Sequence, residues 1–269
     1  MTVSVCVAGA TGWTGRAVAE AVLAADDLRL RSAVSRSTAG SDLGVAWDEE
    51  PVGVTVHAGV AEALDGASGG VDVLVDYTSH AAVRANTLAA IERGVAVVIG
   101  SSGLSADDFA EIDAAARAAG VGVVAAGNFS LTAAMAQAAA RLVAPHLPGW
   151  EIIDYASAGK PDAPSGTSRE LAEQLAAVAT PRAEVPVADV AGHPEARGAT
   201  IAGTQVHSVR LPSFVVSTEV VFGLPDERLV IRHDAGSTAA PYVAGTLLAI
   251  RRVGERVGVT RGLDTLLLG

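Results

Sequence analysis

A chain of 269 residues exceeds the ~100–200 residues of a usual domain, so one large domain or two intimately joined ones are expected. Half of it is apolar and 18% is charged, which excludes disorder, and a net charge of -11 with no basic stripe excludes nucleic acid as a partner. A single cysteine, Cys6, excludes a disulfide within the chain and a cysteine-cluster metal site, and no apolar run reaches the ~20 residues of a membrane span.

Residues 2–8 alternate and are rich in valine, which predicts a strand, followed directly by a helix over 13–25 and a second strand over 28–34. No basic, apolar leader precedes the first strand, so a cytoplasmic location is expected. The stretch 36–70 holds little pattern beyond a short strand near 52–56. Residues 71–76 predict a strand, 80–93 a helix and 95–99 a strand. A helix over 105–119, opened by the Ser-x-x-Asp cap of Ser105 and Asp108, and a strand over 121–125 complete the series. Near-continuous apolar strands alternating with helices mean a parallel sheet covered on both faces. Residues 1–128 are therefore expected to form a doubly wound α/β domain of Rossmann type.

After Asn128 the grammar changes. Residues 131–144 predict a helix, 150–155 a strand and 168–178 a helix, and 180–198 read as an extended loop with Pro181, Pro186 and Pro194. Three strand-like runs, 199–211, 214–222 and 228–233, follow on short turns, which predicts mostly antiparallel pairing. Residues 129–236 are expected to be an α+β domain, an open sheet with helices on one face. A last helix over 242–257 opens a segment, 237–269, expected to return to the first domain.

Gly9-Ala10-Thr11-Gly12-Trp13-Thr14-Gly15 falls between the first strand and the first helix. Glycines there permit a tight turn and bring backbone N–H groups towards a pyrophosphate at a helix N-terminus. Its G-x-x-G-x-x-G spacing alone is a weak signal, because plain turns need glycine too; its place in a βαβ unit favours a dinucleotide. An acidic residue at the end of the second strand would bind the ribose of NADH. This chain has Ser35-Arg36-Ser37-Thr38 there, one guanidinium and three hydroxyls suited to a 2′-phosphate. NADPH is the expected cofactor and NADH the alternative.

The 19 basic residues are 18 arginines and one lysine, Lys160. It opens the run Lys160-Pro161-Asp162-Ala163-Pro164-Ser165-Gly166-Thr167, which leads into a helix. Hydroxyls and free N–H groups at a helix start seat a carboxylate, so a small anionic substrate is expected. A helix cap alone would explain Ser165 or Thr167; the octapeptide with the lone lysine is more specific.

That loop resembles the substrate loop of the dihydrodipicolinate reductase family. So do the A-G-A-x-G-x-x-G run at residues 8–15, Val75-Asp76-Tyr77-Thr78, Gly100-Ser101-Ser102-Gly103, Asn128-Phe129-Ser130 and Val206-His207-Ser208-Val209-Arg210-Leu211. The resemblance spans nearly the whole chain. It implies a cofactor lined by Gly9, Ala10, Thr11, Gly12, Trp13, Thr14, Ser35, Arg36, Gly100, Ser101, Ser102, Ala126, Gly127, Asn128 and Phe129. It implies a substrate held by Lys160, Gly166 and Thr167, with Ser102 and Ser165 beside them, Lys160 as the catalytic group and a homotetramer joined through the second sheet.

The departures are as specific as the match. The family pattern E-x-H-H-x-H-K, whose first histidine is taken as proton donor and whose second binds substrate, is Asp154-Tyr155-Ala156-Ser157-Ala158-Gly159-Lys160 here. An arginine usual near the C-terminus is Thr238. The parent reaction adds hydride to a conjugated ring and must protonate the adjacent carbon, which needs a positioned acid. Reduction of a protonated imine needs none in that step. The expected activity is reduction of a small carboxylate-bearing imine, with Lys160 as the remaining charged group and Tyr77 and Tyr155 as distant hydroxyl candidates. The ordinary biosynthetic 4-hydroxy-tetrahydrodipicolinate reductase is the alternative, and an NADPH-binding sensor or assembly protein without catalysis a third reading.

Overall fold

Strand β1 (Val3–Ala8) buries five of its six residues, as a strand covered on both faces must. The computed structural model, which describes residues 2–268, continues it into α1 (Trp13–Ala24) and β2 (Leu28–Val34). Next come α2 (Leu43–Ala46), β3 (Val56–His57), α3 (Val60–Gly66), β4 (Val73–Asp76), α4 (Val83–Ile91) and β5 (Ala96–Ile99). The first half closes with α5 (Ala106–Ala119) and β6 (Gly122–Ala125). Ser105 and Asp108 form the reciprocal cap at the start of α5.

The second half contains α6 (Leu131–Val143), β7 (Gly149–Ala156), α7 (Gly166–Ala176), β8 (Ala199–Ile201), β9 (Thr204–Arg210), β10 (Val216–Leu224) and β11 (Glu227–Asp234). The chain ends with α8 (Ala240–Arg252), β12 (Gly258–Arg261) and α9 (Leu263–Leu268). Residues through Leu131, together with those from Ala239 onward, form one compact unit, and Thr132–Thr238 form the other.

In the first unit the strands lie in the order β12-β6-β5-β4-β1-β2-β3, every pair parallel. This is the Rossmann order with one added strand, and the reversal between β1 and β4 opens a crevice at their carboxyl ends, where such sheets bind ligands. The apolar layer joins Leu74, Val97, Ile99 and Val123 of the strands to Ile91, Ile112 and Ala116 of the helices.

The second unit has a five-stranded sheet in the order β11-β10-β7-β9-β8, antiparallel except for the parallel pair β7–β9. Trp150, Ile152, Val206, Val220 and Phe222 form its inward face, packed on Ala140 and Ala144 beside α6 and on Leu171 and Leu175 of α7. The Trp150 indole N–H donates to the Thr204 hydroxyl at 3.0 Å, so the large ring is buried without an orphaned donor.

Several expectations need correction. The run 199–211 is two strands, because Ala202 and Gly203 take φ values of 47° and 83° and turn the chain in a two-residue hairpin. The last helix ends at Arg252, and residues to 257 do not continue it; Gly258, at φ 91°, starts β12, which pairs with β6. The featureless stretch 36–70 carries α2 and α3, and its strand lies at Val56–His57.

Candidate functional site

Each unit carries a candidate site of its own, built at the ends of its strands. In the first unit, β1 turns through Gly9 at φ 81°, and a Cβ there would stand 2.4 Å from the Tyr77 carbonyl oxygen. A Cβ on Gly15 would lie 2.0 Å from the Gly9 carbonyl oxygen, so α1 seats on the loop only because that residue has no side chain. Gly9 and Ala10 donate their N–H groups to the Val34 carbonyl, and Gly12 donates to that of Gly9. Those three glycine-loop donors are thus spent on the turn. The N–H groups of Trp13 and Thr14 open α1, where a helix has no carbonyl to offer them. Ala10 is fully buried, and its carbonyl accepts from the Trp47 indole at 3.1 Å, so its part is to shape the loop.

At the end of β2 the Thr11 and Ser35 hydroxyls lie 2.8 Å apart, and Ser35 and Ser37 3.3 Å apart. Arg36 is exposed and has no hydrogen bond or ion pair among the described residues. Trp13 is 56% exposed and meets Tyr242 edge-on, with ring centroids 5.9 Å apart. A positive-φ turn, an open helix N-terminus, an unpaired guanidinium and an exposed indole together fit a dinucleotide.

The far rim is organised by Asp76, the fully buried last residue of β4. Its carboxylate accepts from the Thr78 N–H at 2.9 Å, the Thr78 hydroxyl at 2.7 Å, the Ser101 hydroxyl at 2.7 Å and the Asn86 amide at 2.8 Å. It therefore ties the loop after β4 to Gly100–Ser101 after β5. Gly100 leaves room for the Tyr77 ring, which its Cβ would meet at 2.1 Å. Ser102 is exposed beyond them. Of the third loop, Ala126 is half-buried, Gly127 exposed, and Asn128 and Phe129 buried, with the Asn128 side chain accepting from the Ser130 N–H at 2.8 Å.

In the second unit the polar centre is Asp154, on the inward face of β7 and fully buried. It accepts from the Ser165 N–H at 2.9 Å, the Ser165 hydroxyl at 2.6 Å, the Ser168 hydroxyl at 3.1 Å, the Ser208 hydroxyl at 3.1 Å and the Arg210 guanidinium at 2.7 Å. Burial alone would push this carboxyl up; the bonds from Ser165 and Arg210 outweigh it and hold it below the usual carboxylate range. The Lys160 ammonium sits 2.8 Å from the Asp162 carboxylate and is half-buried. Gly166 and Thr167 open α7, with Gly166 half-buried and Thr167 buried; the Ala163–Pro164 peptide before them is cis.

Two expected roles change. Both the N–H and the hydroxyl of Ser165 are given to Asp154, and its oxygen also caps α7, so Ser165 shapes the loop and has no donor left for a substrate. Both tyrosines are engaged with other protein groups. Tyr77 is bonded to the Thr246 hydroxyl at 2.7 Å, and burial raises its pKa. Tyr155 alternates with Asp154 along β7 and so stands on the opposite face of the sheet, stacked on Phe214 at 4.9 Å and beneath Arg232 at 5.0 Å. Ala156 is fully buried and Ser157 half-buried at the end of the same strand. Asp76, Asp154 and Arg210 stand in the motifs with no task of their own expected, and Trp47 lies outside every motif. The available signal was a carboxylate at an inward position of an apolar strand, as in Trp150-Glu151-Ile152-Ile153-Asp154.

A parallel sheet of Rossmann order with a glycine loop at its switch point, in one chain with a mixed sheet bearing the 160–167 loop, defines a two-unit oxidoreductase of the nicotinamide-using class. The chain belongs to the dihydrodipicolinate reductase family. Residues 3–129 match the family described as "Dihydrodipicolinate reductase, N-terminus", and residues 128–267 match "Dihydrodipicolinate reductase, C-terminus". The chain is 41% identical over 268 residues to a 4-hydroxy-tetrahydrodipicolinate reductase of Moorella thermoacetica, covering 99% of this chain and 98% of that one. Its structure is similar to that of a dipicolinate-bound dihydrodipicolinate reductase from Paenisporosarcina sp. TG-14, with a TM-score of 0.79, 26% identity and coverage of 98% and 99%. An amine dehydrogenase from Mycobacterium smegmatis, with a TM-score of 0.68, 17% identity and coverage of 97% and 95%, shares the fold alone. Among the described residues no group of side chains is arranged to hold a metal ion, and no helix is long and apolar enough to cross a membrane.

Proposed function

We propose that this chain is a 4-hydroxy-tetrahydrodipicolinate reductase, using NADPH to reduce a small cyclic imino dicarboxylate in the cytoplasm. The observation that carries this reading is the intact anion loop, Lys160 through Thr167, wired to Asp154 and Arg210 in a chain similar along its whole length to reductases of that name. The nicotinamide supplies hydride. The protein's own groups bind and orient: the opening turn of α1 faces the pyrophosphate, Arg36 with the hydroxyls of Ser35 and Ser37 receives the 2′-phosphate, and Trp13 covers the cofactor. Gly100, Ser101, Ser102, Ala126, Gly127, Asn128 and Phe129 line the nicotinamide end. Lys160, Gly166 and Thr167 receive the substrate carboxylates. The ring-carbon proton comes from Lys160 or through a water it orders, since neither tyrosine serves. Four copies joined through the second sheet make the working enzyme.

A second reading rests on Ala156 and Ser157. Alanine donates no proton, so a diverged enzyme that reduces a protonated imine, where no carbon is protonated, suits the same loop. The deciding assay generates the pathway substrate with its synthase and follows NADPH oxidation, beside a panel of cyclic imino acids. Turnover of the pathway substrate near the ordinary ~10 s⁻¹ upholds the first reading. Turnover about 10²–10⁴-fold slower, the usual cost of a lost general acid, together with faster imine reduction, replaces it with the second. For the cofactor, wild type is expected to bind NADPH more tightly than NADH and Arg36→Ala to lose that preference, read by titrating cofactor fluorescence. Equal affinities in wild type would remove Arg36 from the assignment.

A further inference from the structure

We propose that Asp154 and Arg210 act as a buried positioning pair that holds the 160–167 loop in its anion-binding shape, so that breaking the pair weakens dicarboxylate binding although neither residue touches the ligand. This rests on the reading that the loop seats the substrate carboxylates. The contacts run in one direction. Asp154 takes two bonds from Ser165, at the downstream end of the loop. Arg210 binds Asp154 at 2.7 Å and, through the same nitrogen, donates to the Asp162 carbonyl at 2.8 Å, in the middle of the loop. The Asp162 carboxylate in turn fixes Lys160 at 2.8 Å. One carboxylate and one guanidinium thus set both the height of the lysine and the first turn of α7.

A helix cap needs only Ser165, and a buried ion pair kept for the fold alone would bind its own strands. Here the bonds that tie β7 to β9 are joined by bonds to loop atoms that no strand requires, the Ser165 N–H and hydroxyl and the Asp162 carbonyl. Arg210 also donates to the Asp154 carbonyl at 3.3 Å, which locks the guanidinium against β7. It leaves β9 in register with Ala156, so its fork comes from the strand edge nearest the loop. A lysine would lack the second nitrogen that donates to the Asp154 and Val209 carbonyls, so it would not hold the loop contacts against the strands as the planar fork does.

The test uses the full chain with NADPH and dipicolinate as the probe, titrated calorimetrically for wild type, Asp154→Asn and Arg210→Lys. Hydrogen exchange is followed in parallel at the amides of residues 157–167. The expected result is dipicolinate affinity weaker by about tenfold to a hundredfold, the usual effect of disturbing groups that orient a ligand's contacts. NADPH affinity should be unchanged, and exchange faster in the loop only. Should a single variant fail to fold because a charge is left buried alone, Asp154→Leu with Arg210→Met removes both charges together and keeps the comparison. A folded variant with wild-type dipicolinate affinity and wild-type loop exchange overturns the pair's role. If wild type itself does not bind dipicolinate, the functional reading fails separately, and loop exchange alone decides: faster exchange in the variants upholds the pair, unchanged exchange overturns it.

Discussion

Lys160 and Cys6 are each the one residue of its kind, and their surroundings give them opposite fates. Lys160 is half-buried against Asp162 at 2.8 Å, a partner that a substrate carboxylate would replace if the proposed function holds. Lys160→Ala is expected to lower kcat/KM by about 10²-fold or more, as loss of a positioned donor does, with NADPH affinity nearly unchanged. Steady-state kinetics beside a fluorescence titration reads both, and wild-type turnover in the variant would make the lone lysine incidental. Cys6 is fully buried in β1, and burial pushes its thiol up to about 12, against a reference value of 9.0. The folded protein at neutral pH should therefore ignore a disulfide reagent that reacts at once after unfolding. Rapid labelling of the native chain would place Cys6 elsewhere. The linked sign follows: with the folded pKa raised, this group's contribution to stability is intact below pH 9 and shrinks as pH rises towards 12. Lys160 was legible because composition isolates it. Asp154 and Arg210 were less so, because one carboxylate in a strand carries no sign of which five donors, from two separate segments, will converge on it.

At the scale of elements, the central parallel strands β1, β4, β5 and β6 were legible because each is a short, mostly aliphatic run buried on both faces. The cap on α5 was equally plain. What escaped were elements whose place depends on distant partners. Strand β12 has only four residues and exists because β6 offers it an edge, 133 residues or more away in sequence. Helix α8, by contrast, is fixed by a steric detail. A Cβ on Gly245 would stand 2.0 Å from the Phe129 carbonyl oxygen and 2.6 Å from Leu263, so the helix approaches the 125–130 turn at glycine distance. In an open helix, glycine to alanine stabilises by about 1 kcal/mol. Here the sign reverses: Gly245→Ala is expected to destabilise by about 1–3 kcal/mol, as overpacking does, and to weaken cofactor binding through the displaced Phe129 turn. Gly254→Ala, which meets nothing within 4 Å, is the control and should be close to neutral. Urea melts of the two variants compare them directly; equal midpoints would mean the turn yields without cost.

The whole molecule has a surface that its own sequence leaves half-finished. Helices α6 and α7 cover one face of the second sheet. On the other face Ile153, Tyr155, Val209 and Val221 are only half-buried, and Val230 is 43% exposed. Alternation along β7 and its pairing with β10 put Tyr155 beside Ser217 and Ile153 beside Glu219 on that face, with Arg232 bridging to Glu219 at 3.2 Å. A mixed face of this kind, apolar with fixed charges, is suited to pairing with copies of itself. The family resemblance, which implies four copies joined through this sheet, gives the number. Light scattering behind size-exclusion chromatography is expected to return about 108 kDa, four chains of 27.0 kDa. Val230→Glu, which sets a charge in the exposed row opposite Val221, should shift the chain towards smaller species without changing its far-ultraviolet dichroism. A wild-type mass of one chain at micromolar concentration would sink the assembly, and a tetramer untouched by Val230→Glu would move its interface to another face.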